Sequence, residues 1–115
     1  MGDRANILVK ENDDDGGVYL YSHWTGSNLP LVLRDALKKH WRWDDCPYLT
    51  RIIFDEMTRE DHGETGFGIS SFCGDGDDRV LVVNCEKQTV TFNNKVWGFE
   101  KYVSLSDPEL ETVWA

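Results

Sequence analysis

Three short runs decide the fold: Phe67-Gly68-Ile69-Ser70, Val80-Leu81-Val82-Val83 and Thr89-Val90-Thr91-Phe92. Each is rich in apolar residues that favour strands, and polar turn residues at 73–78 and 86–88 separate them. Strands that are joined by such short turns pair antiparallel. The second half of the chain therefore predicts an antiparallel sheet, with Val96 to Val103 as its last strand.

The first half of the chain predicts a hairpin followed by two helices. Ile7–Val9 and Val18–Tyr21 are strand-like and flank a polar turn segment. Apolar residues then recur every three or four positions from Leu29 to His40, which predicts a helix that ends near His40-Trp41. A second helix starts at Asp44-Asp45-Cys46-Pro47, with an Asp cap and a proline in its first turn, and continues through Leu49–Met57.

The order β-β-α-α-β-β-β-β predicts a single α+β domain over residues 1–115. We expect a mainly antiparallel sheet of five or six strands that packs one face against the two helices. Residues 106–115 are either a loose tail or a short helix that Ser106 caps. The side chains that we expect to be buried are Leu33, Leu37, Leu49, Ile53, Val82 and Val90.

Composition excludes several classes of protein. The 115 residues carry 12 Lys and Arg against 21 Asp and Glu, a net charge of −9, which argues against direct nucleic-acid binding. No apolar run approaches the roughly 18 residues of a membrane helix. Cys46, Cys73 and Cys85 form an odd set without a C-x-x-C pair, so neither a disulfide framework nor a zinc site is indicated. The sequence predicts a cytoplasmic protein with reduced thiols, no cofactor and no metal.

The second strand carries the most informative side chains. Tyr19, Tyr21 and His23 share one face of it because side chains alternate along a strand, and Trp24 follows at its end. If Leu20 faces the helices, these rings line the opposite side of the sheet. They are either strand-favouring residues on an exposed face or a shallow pocket that stacks a planar ring and offers hydrogen bonds.

Arg4 is one of only two positive charges before Arg34 in this acidic chain. One interpretation is an ion pair with a nearby carboxylate such as Asp3 or Glu64. The other is the capture of an anion, because a guanidinium binds phosphate or carboxylate through two parallel hydrogen bonds.

Other motifs do not fit known sites. Gly63–Ser71 has a serine where the third glycine of a dinucleotide fingerprint belongs, and no helix follows. The run Asp75–Asp78 is followed by Arg79 at a ligand position of a calcium loop and by Val80 at its obligatory glycine position. Trp41-Arg42-Trp43, between the two helices, fits packing across the helix pair better than an exposed patch for a partner.

Two stretches, Met1–Ile7 and Tyr19–Gly26, resemble a family of small uncharacterised bacterial and phage proteins. Its members open Met-Gly-(Asn/Asp)-Arg-Ala and continue with an aromatic-x-His-Trp-x-Gly strand; this chain has Asp3 where Asn is commoner. Gly63–Ile69 and Arg42–Asp45 resemble further stretches of its actinobacterial branch. The resemblance spans about residues 1 to 85 and brings no established activity. The site residues that it implies are Arg4, Tyr21, His23, Trp24, Glu64 and Thr65.

These residues favour a binder of a small, anionic, ring-bearing ligand, most simply a nucleotide. Arg4 would bind the anionic group, and Tyr21 or Trp24 would stack on the ring. His23 and Glu64 would form hydrogen bonds with the edges of the ring. The resemblance to phage proteins extends this expectation to the sequestration of a signalling nucleotide.

Two alternatives belong to other classes of protein. An acidic interaction protein that imitates nucleic acid would bind a basic partner through Asp13–Asp15, Asp75, Asp77 and Asp78. A small hydrolase or transferase would use His23 for proton transfer, because histidine readily gives and takes protons near neutral pH. Its carboxylate partner would then be Glu64.

Overall fold

A computed structural model describes residues 2–60 and 66–115 of the chain. Within these residues two strands are followed by two helices, four strands and two further short helices. One 3-10 turn, Gly26–Asn28, precedes the first helix. The bounds are β1 Ala5–Lys10, β2 Val18–Ser22, α1 Leu29–Leu37, α2 Cys46–Met57, β3 Phe67–Ser70, β4 Val80–Asn84, β5 Thr89–Phe92, β6 Lys95–Gly98, α3 Phe99–Val103 and α4 Asp107–Glu111.

The strands form one mixed sheet in the order β3-β2-β1-β4-β5-β6. Four neighbouring pairs are antiparallel, whereas β1 and β4 run parallel, with Ile7 opposite Leu81. The parallel pair arises because β3 returns from the helices to the outer side of β2. The other hydrogen-bonding edge of β1 is then free, and β4 pairs with it. The α+β class is confirmed, and the six-stranded sheet is mixed, which is compatible with the mainly antiparallel sheet that the sequence predicted.

One side of the sheet carries the hydrophobic core. Ile7, Leu20 and Leu81 lie next to one another on this side and are fully buried with residues of the helices. Buried residues of α3 and α4 join the same core, and the Tyr102 hydroxyl donates to the Pro30 carbonyl at 2.9 Å. All four helices therefore pack on one face, where the sequence predicted two.

Five of the six residues expected in the core are buried: Leu33, Leu37, Leu49, Ile53 and Val90. The sixth prediction was wrong, because Val82 points away from the helices and is only half-buried. Its neighbours Leu81 and Val83 occupy the core instead. A run of four apolar residues does not show by itself which alternate pair faces the core.

The predicted strand from Val96 to Val103 is also corrected. β6 ends at Gly98, and the chain continues as α3. Phe99 and Tyr102 lie three positions apart, and a helical turn brings both into the core, where a strand would place them on opposite faces.

The first helix ends at Leu37, three residues before the predicted end. His40 and Arg42 have positive φ angles of 58° and 61°, so the chain folds back after the helix. The Trp43 indole then donates to the Leu37 carbonyl at 2.9 Å, and its ring stacks on His40 at 4.3 Å between centroids. Trp43 therefore packs as expected, whereas Trp41 is 59% exposed.

The side of the sheet away from the helices, which we call the open face, carries Leu8, Tyr19, Tyr21, Val82 and Thr91. In the described residues, the buried residues of every helix belong to the core on the other side. No described helix is long and apolar enough to cross a membrane. The open face is therefore the broad sheet surface on which a site can form.

A polar cluster ties the N-terminus to the rest of the fold. The Asp3 carboxylate accepts from the Arg79 guanidinium at 2.7 Å and from the Ser27 backbone N–H at 3.0 Å. Arg79 also lies over the Trp114 ring at 5.1 Å, and the Trp114 indole donates to the Gly26 carbonyl. The start of β1, the entry to α1, the start of β4 and the C-terminal segment meet at this cluster.

We expect Asp3→Asn to lower the free energy of unfolding by about 1 kcal/mol at neutral pH, because a partly exposed ion pair is lost. Hydrogen bonds from Arg79 and Ser27 lower the pKa of Asp3. The stabilisation by the Asp3 carboxylate is therefore fully present above the usual carboxyl pKa. It is lost as the pH falls through the lower pKa that Asp3 has in the folded state. Urea unfolding should show a difference between wild type and variant at pH 7 that narrows towards about pH 3. A difference that is independent of pH would contradict this role.

Candidate functional site

Tyr21 and His23 form a hydrogen-bonded pair at the end of β2 on the open face. The Tyr21 hydroxyl lies 2.7 Å from Nδ1 of His23. Burial raises the pKa of the Tyr21 phenol, while Arg4 opposes and Asp75 reinforces that shift. The phenol is therefore neutral at pH 7. When it donates to Nδ1, the imidazole carries its hydrogen on Nε2 and presents a second donor.

Arg4 lies beside this pair, at the start of β1. Its guanidinium is 3.9 Å from the Asp75 carboxylate, and the two side chains are 44% and 63% exposed. Of the two carboxylates expected from the sequence, Asp3 binds Arg79 instead, and Glu64 lies outside the described residues. So long and exposed a contact contributes little to stability.

A buried amide holds the loop that brings Asp75 to this place. Asn6 is only 2% exposed, and its side-chain N–H groups donate to the carbonyls of Asp75 at 2.9 Å and Gly76 at 3.3 Å. Gly76 has a φ of 73°, and a Cβ there would lie 3.0 Å from the backbone nitrogen of Ala5. The loop therefore lies directly on the start of β1.

A depression of about 210 Å³ lies between this loop and the open face. It is mostly apolar, and Phe72 at its rim is 70% exposed. Its volume is below the roughly 300–1,000 Å³ of most small-molecule pockets, which suits a single ring rather than a large ligand. The lining residues are Asn6, Tyr21, Gly68, Ile69, Ser70, Phe72, Gly74 and Asp75.

Trp24 lies beside the depression rather than in it. Its ring is half-exposed and meets the His23 ring edge-on, with 5.6 Å between centroids. A Cβ at Gly66 would lie 2.6 Å from the indole, so only glycine leaves room for Trp24 there. Two further predicted site residues, Glu64 and Thr65, lie outside the described residues.

The structure thus brings four predicted site residues into one neighbourhood: Arg4, Tyr21, His23 and Trp24. Sequence reasoning missed Asn6, Phe72 and Asp75, which shape the depression. Asn6 gave a signal, since it is the one polar residue inside an apolar strand. In the described part of the chain, no group of three or more His, Cys, Asp and Glu is placed to hold a metal ion.

No protein-family model matches this chain, and no curated protein or solved structure is significantly similar to it. The geometry of the site is therefore the basis for its function.

We expect Asn6→Asp to lower the free energy of unfolding by about 2 kcal/mol. A buried carboxylate would face two carbonyl oxygens and would have no N–H group to donate to them. Urea unfolding at neutral pH measures this loss. Asn94→Asp makes the same chemical change at an exposed turn and should alter stability by less than about 0.5 kcal/mol. Equal effects of the two variants would show that Asn6 does not anchor the loop.

Proposed function

We propose that this protein binds a small anion with a planar ring, of nucleotide type, at the depression on the open face. The observation that carries the proposal is the juxtaposition of an apolar depression of about 210 Å³ with the Arg4 guanidinium and the Tyr21–His23 pair. The depression takes the ring, and the anionic group stays at the rim.

Each part of such a ligand has a chemical counterpart. The exposed Phe72 ring and the Tyr21 ring offer apolar surfaces to a planar ring. Arg4 offers a planar fork of donors to a phosphate or carboxylate. In a chain of net charge −9, the neighbouring Asp75 opposes an anion, so the balance between Arg4 and Asp75 sets the affinity.

The acidic-partner alternative has less support. Asp75 lies at the start of β1, next to Asn6, whereas Asp13 lies beyond the end of β1, where it is bonded to Lys87 and Asn84. The two acidic turns are thus at opposite ends of the strand, and one carboxylate is already paired. They do not form one continuous negative surface.

The catalytic alternative needs His23 and Glu64 to act as a pair, and only His23 lies in the described residues. Within the part of the chain that the structure describes, the partner of Nδ1 of His23 is the Tyr21 phenol. A phenol orients the imidazole but does not stabilise its charged form as a carboxylate would. We therefore favour a binder that sequesters its ligand over an enzyme that converts it.

Thermal unfolding with adenosine 5′-monophosphate tests the proposal. At about ten times its Kd, a ligand stabilises the folded state by about 1.4 kcal/mol, or about 5 °C in Tm for a chain of this size. We expect a clear shift with the monophosphate, and smaller shifts with adenosine alone and with inorganic phosphate alone. No shift with millimolar monophosphate would contradict the proposal.

Two variants should move the affinity in opposite directions. Arg4→Gln removes the cation and should weaken binding about tenfold, since a charge-assisted bond contributes about 1.5–3 kcal/mol and this one is partly exposed. Asp75→Asn removes the opposing charge and should strengthen binding several-fold. Arg51→Gln, at an exposed position of α2, is the matched control and should leave the affinity unchanged. Equal losses of affinity in Arg4→Gln and Arg51→Gln would show that the anion does not bind at Arg4.

A further inference from the structure

Two cysteines meet inside the fold although 39 positions separate them in the sequence. The Sγ atoms of Cys46 and Cys85 are 2.8 Å apart, and both residues are buried. Cys46 is the first residue of α2, and Cys85 directly follows β4. The backbone N–H of Cys85 donates to the Lys10 carbonyl, which fixes Cys85 at the end of the two central strands β1 and β4.

The pair of thiols lies just beneath the surface, with Cys46 8% and Cys85 6% exposed. Cys85 lines a surface depression of about 280 Å³ that is mostly polar. Its other lining residues are Glu11, Asn12, Asp44, Glu86 and Gln88. Cys46 interacts with Glu11 from the same depression, so a small neutral oxidant approaches the pair of thiols from this side.

We propose that Cys46 and Cys85 are a redox modification site and form an intramolecular disulfide on reaction with a peroxide. The thiolate of one cysteine attacks a peroxide oxygen and breaks the O–O bond, which yields a sulfenic acid and one water after proton transfer. The sulfur of the other cysteine then attacks the sulfenic sulfur and displaces the second water. Two thiols and one hydrogen peroxide thus give one disulfide and two waters.

The surroundings of the pair set the rate of this reaction. Burial raises the pKa of both thiols, and the Glu11 carboxylate adds to the shift. Because the thiolate is the reacting form, oxidation is slow at neutral pH and faster in alkaline solution. The pair therefore stays reduced unless the oxidant persists.

Cys73 provides an internal comparison. Its sulfur lies 3.7 Å from the Asn6 amide, at the start of β1, whereas Cys85 lies at the end of that strand. Four residues of strand span about 13 Å, so Cys73 is too far away to bridge to Cys85 in the folded chain. Peroxide is expected to give a bridge only between Cys46 and Cys85.

The test uses Cys73→Ser protein treated with hydrogen peroxide at alkaline pH. We expect a mass loss of about 2 Da and, in peptide mapping without reductant, one linked pair that contains Cys46 and Cys85. The bridge closes a long loop, so the Tm should rise by about 10 °C and return when a reductant is added.

Cys46→Ser in the same background should lose the bridge and leave a sulfenic acid at Cys85 that dimedone traps. Folded Cys73→Ser protein that stays unmodified under these conditions would overturn the proposal. So would protein that accumulates sulfenic or sulfinic acid at Cys85 without the bridge, because the two sulfurs would then not be placed to react with each other.

Discussion

The burial of β1 on both of its faces is the constraint on which the rest of the structure depends. Every residue from Ala5 to Val9 is buried, and the strand is bonded to β2 on one side and to β4 on the other. Polar groups at so buried a position require partners. The Asn6 side chain donates to carbonyls of the loop before β4. The Asp3 carboxylate, just outside the strand, accepts from Arg79 and from the turn before α1.

This arrangement also explains where the candidate site lies. Because β2 runs antiparallel to β1 and β4 runs parallel to it, the start of β1 lies beside the end of β2 and the start of β4. Residues 4, 21 and 23, together with the loop before β4, are thereby collected at one end of the open face. Arg4, the Tyr21–His23 pair and the rim residue Phe72 are neighbours for this topological reason.

The sequence predicted local structure well and long-range placement poorly. The alternation Tyr19-Leu20-Tyr21 was enough to put the two phenols on the open face, and the helical spacing identified the buried face of α1 and α2. The parallel pair of β1 and β4 left no local pattern, because pairing between distant strands depends on which sheet edge is still free. Phe72 and Asp75 were not expected at this site for the same reason, since contacts with Asn6 and the start of β1 bring their loop over the sheet.

The most direct test of a ring-and-anion site on the open face is a titration of ¹⁵N-labelled protein with adenosine 5′-monophosphate, followed through the backbone amide signals. We expect concerted, saturable shifts at Tyr21, Ser70 and Asp75, and unchanged signals at the opposite end of β1 around Asp13. Shifts that saturate elsewhere, such as around the exposed Trp41, would contradict a site on the open face, as would no shift at these amides at millimolar ligand.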